Sequence, residues 1–365
     1  MKAIKAFDVL GEKAKNEFEQ IVGLSKFFLK KDHLVNVLKS SMPSLSIETT
    51  NICNANCTFC GYQYQSRPRG VMSSTLFEKI LRDFSDCGGG DLSLTPTVGD
   101  PLVDPDLLDR IRAARLLPNI TGIGLYTNLI SLHRIGAKPL IESGVTSISV
   151  STSGFDEEMY KRIYRSKEYN RVISNIKNLA TVNNQAGRPV TLSIALRVDR
   201  PRAEVMDTPE YKIISDLIGA ENISFAFFFD DWSGRINPDD LTGDMKLRGA
   251  TLAHRLIFSL RRPKISACSE MFSGPIVYWD GKVGACGCRD VDAKELIIGD
   301  ANNEHLGDIW FGEKIEEMRD RFISGKIPEI CRNCYHYNNL SIYLRPDRQK
   351  LMESIRRSPM SRTMA

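Results

Sequence analysis

No stretch of about 18 apolar residues occurs in the chain, so no segment reads as a membrane-spanning helix. The opening residues Met1-Lys2-Ala3-Ile4-Lys5 lack the apolar core and small-residue cleavage site of a secretory signal, which predicts a cytoplasmic protein. A strong excess of charge is missing too. Lysine and arginine number 49 against 45 acidic residues, and a net charge of +4 does not point to nucleic acid or a membrane surface as partner. Histidine is scarce, with five in the chain and none in the loops described below, which leaves carboxylates, tyrosines and arginines for acid-base work. Nine cysteines is an odd count for a disulfide framework. All but one fall in two tight groups, the pattern of metal thiolates in a reducing compartment. Cys87 stands apart before Gly88-Gly89-Gly90 and reads as a small buried thiol beside a turn.

The 365 residues, 42% of them apolar, suffice for one large α/β barrel and a smaller appended domain. Residues 1–43 have helical periodicity through Phe18, Ile21, Val22, Leu24, Leu34, Val35 and Leu38, with Lys26, Lys30 and Lys31 on a solvated face. From residue 44 short strands alternate with amphipathic helices. Strands are expected at Leu45 and Ile47, Leu92 and Leu94, Ile123–Tyr126, Ser147–Val150, Val190–Leu196 and Ile223–Phe229. A Thr75-x-x-Glu78 capping box is expected to open one of the helices. Six β/α units over 44–240 predict a partial (β/α)6 TIM-type barrel, whose chemistry belongs at the carboxyl ends of its strands. Beyond residue 260 the pattern changes to a hairpin, Ile276–Trp279 and Lys282–Val283 about an Asp280-Gly281 turn, and a cysteine-rich domain is expected over 260–342. Residues 343–365 form a basic tail.

The first cysteine group, Cys53-Asn54-Ala55-Asn56-Cys57-Thr58-Phe59-Cys60, follows the first strand directly. Three thiolates on a four-iron cluster leave one iron open, whereas ferredoxin-type clusters are closed by four. A zinc site is the alternative, but zinc motifs favour Cys-x2-Cys pairs with four ligands, and this loop has three and no histidine. The Cys-x3-Cys-x2-Cys spacing, with Phe59 before the last cysteine, resembles the radical S-adenosylmethionine (SAM) superfamily. The resemblance implies a 4Fe-4S cluster on Cys53, Cys57 and Cys60 whose open iron binds SAM. It further implies one-electron cleavage to a 5′-deoxyadenosyl radical that abstracts hydrogen from a substrate carbon, and a low-potential electron donor such as flavodoxin or ferredoxin as partner.

Further positions are similar to family turns. Val98-Gly99-Asp100-Pro101 resembles Gly-Gly-Glu-Pro, with Val98 for glycine and Asp100 for glutamate, and implies contact with the methionyl ammonium. Tyr126-Thr127-Asn128 resembles the turn near the ribose. Ser151-Thr152-Ser153-Gly154 is similar to Ser-x-Asp-Gly and makes Ser151 a SAM contact. Arg197, ending the alternation Leu192-Ile194-Leu196, matches a position against the SAM carboxylate, which a guanidinium fork suits.

The second group, Cys268, Cys286, Cys288, Cys331 and Cys334, resembles the twitch (shortened SPASM) domain of the same superfamily. The neighbouring Trp279-Asp280-Gly281-Lys282-Val283 and Leu306-Gly307-Asp308-Ile309-Trp310 agree with it. It implies one auxiliary 4Fe-4S cluster on Cys268, Cys286, Cys331 and Cys334, with Cys288 able to replace Cys286; a structural zinc knot is the other reading. A closed auxiliary cluster has no iron for substrate and suits electron acceptance, which favours net oxidation of a carbon centre. Resemblance to aminocyclitol dehydrogenases makes a sugar, aminocyclitol or similar small metabolite the expected substrate. Modification of a peptide is an alternative, and a non-enzymatic metal-stabilised binding protein is another. Alcohol oxidation needs a base, and Asp230, Asp231 and Arg235 follow the sixth strand at the same mouth.

Overall fold

The computed structural model describes residues 31–345 except 233, 249–263, 265, 288 and 333. The apolar positions before residue 31, the tail after 345 and Cys288 therefore lie outside the described residues, while 31–39 is helical as its periodicity predicts.

Six strands form the parallel sheet in sequence order: β1 Ser44–Ile47, β2 Gly90–Ser93, β3 Ile120–Thr127, β4 Ser147–Ser153, β5 Thr191–Arg197 and β6 Ile223–Ala226. Alternation along β5 puts Leu192, Ile194 and Leu196 against the surrounding helices and leaves Ser193, Ala195 and Arg197 on the half-buried inner face. Helix Ser74–Asp86 shows how a crossover is fixed: Leu76, Phe77, Ile80, Leu81 and Phe84 form its buried stripe. Its cap is Ser73, whose hydroxyl accepts the Leu76 N–H, so the helix begins earlier than a Thr75-x-x-Glu78 box would place it. Cys87 ends this helix, 3% exposed, in the role expected of a small buried thiol.

The expected strand Ile223–Phe229 divides. Ile223–Ala226 pairs with β5, whereas β7 Phe228–Phe229 pairs with β8 Lys246–Leu247 as a separate ribbon. Phe229 is buried there with its ring 5.2 Å from that of Phe59 in the cysteine loop, a contact that outweighs continued pairing along β6.

The C-terminal hairpin, β9 Ile276–Val277 and β10 Lys282–Gly284, does not stand apart from the barrel. β9 pairs in parallel with β1, Ile47 opposite Val277, and β11 Ile297–Asp300 pairs antiparallel with β10, giving one nine-stranded sheet. An unpaired β1 edge would leave its backbone groups open, and the second cysteine region closes it. Buried groups reinforce the junction. Arg67 binds both oxygens of Glu48 at 2.6 and 2.9 Å, donates through Nε to the Val291 carbonyl at 2.7 Å and lies 4.8 Å above the Tyr278 ring.

Candidate active site

The cysteine loop leaves β1 and is pinned at several points. Asn56 and Thr58 donate backbone N–H groups to the carbonyls of Tyr164 and Ile163, which end helix Glu157–Tyr164 and have no helical partners of their own. Cys60 caps a short 3-10 turn by accepting the Tyr62 N–H at 3.4 Å. Asn128, after β3, donates to Asn54 at 2.8 Å and approaches Cys53 Sγ at 3.7 Å, and Asn54 donates to Ser131 at 2.8 Å.

The three thiols are close enough to influence one another electrically. Burial pushes each upward in pKa; Cys53 and Cys60 add to the rise at Cys57, and the Arg197 guanidinium opposes it at Cys57 and Cys60. Metal binding must displace those protons, since the thiolate is the ligand.

Asp100 occupies the turn after β2 and is 2% exposed. Its carboxylate accepts the Leu102 N–H at 3.0 Å, the Thr127 hydroxyl at 2.9 Å and the Asn128 N–H at 2.7 Å. The shortened side chain thus ties the β2 turn to the β3 turn. Burial raises its pKa to about 6 against the lowering effect of those three donors. Gly99 beside it has φ +133°, and a Cβ there would stand 2.9 Å from the Thr50 carbonyl oxygen, so the turn needs glycine to lie against the start of the cysteine loop.

Arg197 crosses the inner face of the sheet. Its Nη2 donates to the Tyr126 hydroxyl at 2.5 Å, and its guanidinium stands 5.6 Å from the Phe59 ring centroid and 5.9 Å from that of Tyr126. Among the described residues it joins no carboxylate in an ion pair, so this half-buried cation faces the barrel mouth without an anion of its own. Ser151 and the Tyr164 hydroxyl are 2.8 Å apart, and Tyr164 meets Phe59 edge-on at 5.6 Å. Phe59, Tyr126, Ser151 and Arg197 are therefore brought together, with Asp100, Thr127 and Asn128 forming an adjoining network.

The residues after β7 behave differently from one another. Asp230 Oδ1 accepts the Trp232 N–H at 2.7 Å and pairs with Arg289 at 3.0 Å, while its buried Oδ2 has no hydrogen-bond partner among the described residues. Arg235 pairs with Asp292 at 2.7 Å and donates to the Tyr64 carbonyl, joining the cysteine loop to the C-terminal region. Ile236 donates its N–H to the Asp231 carbonyl at 3.0 Å, a turn that draws Asp231 back along the loop.

Sequence reasoning passed over Trp232 and Arg289. Trp232 has φ +51°, packs where a Gly61 Cβ would come within 2.6 Å, and carries Arg289 over its ring at 4.8 Å. A tryptophan just after the last barrel strand was the available signal. Nothing in the sequence marked Arg289.

In the C-terminal region, Cys268, Cys331 and Cys334 share a neighbourhood with Lys264 and Tyr337. Cys268 is bridged to Asn339, and Ser269 donates to the Asn338 carbonyl at 2.8 Å. Burial pushes Cys331 up to about 12, assisted by Cys334 and opposed by Lys264. Cys286 follows β10 and stands near Tyr278. Among the described residues no three His, Cys, Asp or Glu side chains converge on a single-ion site. Ligands of a four-iron cube each hold a different iron and need not converge in that way.

A parallel barrel with three thiols and a half-buried guanidinium at its carboxyl mouth, and a second thiol group at one edge, offers two sites for thiolate-bound iron-sulfur clusters. Residues 47–196 match the radical SAM superfamily and 268–335 the SPASM iron-sulfur cluster-binding domain. The chain belongs to the radical SAM superfamily, carries an auxiliary-cluster domain, and uses a 4Fe-4S cluster, an auxiliary cluster and SAM.

Among curated relatives, a probable GTP 3′,8-cyclase of Archaeoglobus fulgidus is 32% identical over 139 residues, 38% of this chain and 45% of that protein. A probable GTP 3′,8-cyclase of Methanothermobacter thermautotrophicus is 29% identical over 168 residues, 46% of this chain and 53% of the other. The chain spans about half the length of the curated relatives it matches. Among solved structures, BtrN in complex with AdoMet and 2-DOIA superposes with TM-score 0.51 at 17% identity, over 80% of this chain and 92% of BtrN. Streptococcus suis SuiB bound to precursor peptide SuiA gives 0.56 at 15%, over 84% and 74%. These likenesses show the shared partial barrel. No helix of the described residues is long and apolar enough to cross a membrane.

Proposed function

We propose that the chain oxidises a carbon-hydrogen centre of a small polar metabolite such as a sugar or aminocyclitol, with the auxiliary cluster as electron acceptor. When bound, the first cluster and SAM supply one-electron cleavage of a sulfonium and a carbon radical that takes a hydrogen atom from substrate. Cys53, Cys57 and Cys60 hold that cluster, and Arg197 receives the SAM carboxylate as the anion it lacks. Thr127 and Asn128 flank the ribose, fixed by Asp100 from behind; Ser151 and Phe59 complete the wall. Cys268, Cys286, Cys331 and Cys334 hold the second cluster.

The observation that carries this reading is the donor set: four thiols in the C-terminal region besides Cys288, three of them grouped with Lys264. A cluster closed by four protein ligands has no iron to offer a substrate and keeps electron transfer as its role. Asp230 serves as base for the hydroxyl proton, since among the described residues no donor occupies Oδ2 while Arg289 and Trp232 fix Oδ1. Asp231 and Arg235 complete the group at the mouth, Arg235 by orienting the loop through Asp292.

A second reading, radical rearrangement of a purine nucleotide, is supported by the matches to GTP 3′,8-cyclases. Product mass separates the two: reduced enzyme with SAM and an aminocyclitol yields a product lighter by two hydrogens, whereas rearrangement of GTP conserves mass. Turnover of GTP without turnover of polyols or aminocyclitols sinks the oxidation reading.

A further inference from the structure

We propose that Lys264 sets the potential of the auxiliary cluster, holding a positive charge against its ligand loop so that the cluster takes up an electron more readily. The inference rests on the reading that Cys268, Cys331 and Cys334 ligate that cluster.

Lys264 Nζ donates to the carbonyl oxygen of Cys331 at 2.7 Å and also to that of Arg332, at the end of helix Glu329–Arg332. The ammonium lies 5.0 Å from the centroid of the Tyr337 ring, and Tyr337 is itself fixed by donating to the Ser266 carbonyl at 2.7 Å. Backbone carbonyls and an aromatic face thus pin the charge in place.

A lysine beside a helix end can donate to its last carbonyls as a cap, so these hydrogen bonds alone do not set Lys264 apart. Among the described residues Lys264 forms no ion pair with a carboxylate; burial lowers its pKa, and Cys334, Cys331 and Cys268 oppose that fall and favour the charged form. Two carboxylates, Glu295 and Asp290, act on Cys331 in the opposite sense. Thiolate ligation concentrates negative charge at this point, and reduction adds one more unit. A fixed cation offsets that unit, and net charge near a cluster is one of the levers on its potential. A partly buried charge held against the ligand loop is worth about a tenfold change in the balance of reduced and oxidised forms. Cys331, Cys334 and Lys264 therefore work as one unit, with Lys264 a positioning residue that touches neither substrate nor SAM.

The test uses the full-length chain with Cys53→Ala, Cys57→Ala and Cys60→Ala, so that any cluster signal comes from the auxiliary site. After anaerobic reconstitution, iron and sulfide are counted and the cluster is titrated against potential by electron paramagnetic resonance. With Lys264→Met the midpoint moves negative, the reduced-to-oxidised ratio at a fixed potential falling about tenfold, and Lys264→Arg stays within about twofold of the parent. An intact cluster with an unmoved midpoint in Lys264→Met overturns the proposal. Equal loss of the cluster from both variants also overturns it, because the lysine is then a cap for the loop. If the parent binds no cluster at all, the ligand assignment fails first, and the iron count alone reveals it.

Discussion

The indole N–H of Trp232 donates to the carbonyl oxygen of Phe59 at 3.0 Å. Through this bond the loop after the last barrel strands grips the cysteine loop between its second and third thiols, while the Arg289 guanidinium lies 4.8 Å over the ring. The left-handed backbone of Trp232, unusual for a bulky residue, persists because Asp230 holds its N–H and Gly61 makes room for its ring.

Gly61→Ala should therefore be destabilising by about 1–3 kcal/mol, since its methyl group has nowhere to go unless the indole shifts. Trp232→Ala should cost a similar amount by losing the bond and the packing. The double variant should cost less than the sum, because the two changes share one space. Urea midpoints of the four proteins check this; strict additivity contradicts it.

Asp230→Asn removes the proposed base without changing the shape of its turn. Substrate oxidation should fall about 10²–10⁴-fold, the usual range for a general base, while 5′-deoxyadenosine still forms with SAM. Chromatography of both products checks it. Equal loss of both would make Asp230 a structural residue, and unchanged oxidation would place the base elsewhere.

Asp100 gives a pH dependence with a definite sign. Its folded pKa, about 6, lies above the ordinary value of 3.8, so its contribution to stability is fully present below about 4 and is lost as pH rises through 6. Roughly two units correspond to about 3 kcal/mol, an order-of-magnitude figure. Urea unfolding of the cluster-free protein at pH 5 and pH 7.5 should show a loss of stability that Asp100→Asn flattens. An unchanged difference in that variant would assign the effect to another group.

Arg67 and Glu48 are both buried, with side chains 4% and 0% exposed. Removing one partner strands the other, so Arg67→Met should cost about 3–5 kcal/mol, and Glu48→Gln with Arg67→Met should recover part of it. Thermal unfolding of the single and double variants measures this. A single variant as stable as the parent would contradict it.

Much of this architecture was legible in the chain because period-two strands, capped helices and tight cysteine spacings are local signals. The first five barrel strands, the start of the sixth and the Asp280-Gly281 hairpin appear where those signals put them. What escaped was long-range. No local pattern reveals that β9 would complete the edge of β1, or that Phe228–Phe229 would leave β6 for a partner at Lys246–Leu247. The roles of Arg235 and Lys264 were hidden for the same reason: each is defined by a partner dozens of residues away, Asp292 in one case and the Cys331 carbonyl in the other. Asp100 was read as a ligand contact, and its commitment to Thr127 and Asn128 became visible only when β2 and β3 were set side by side.

The most direct test of the central claim is 5′-deoxyadenosine formation by anaerobically reconstituted, reduced protein given SAM, compared with the same chain carrying Cys53→Ala, Cys57→Ala and Cys60→Ala. The parent should release the nucleoside and hold two clusters' worth of iron and sulfide, and the variant should release none while keeping one cluster's worth. Undiminished nucleoside from the variant, or a parent that holds zinc without sulfide, would contradict the account.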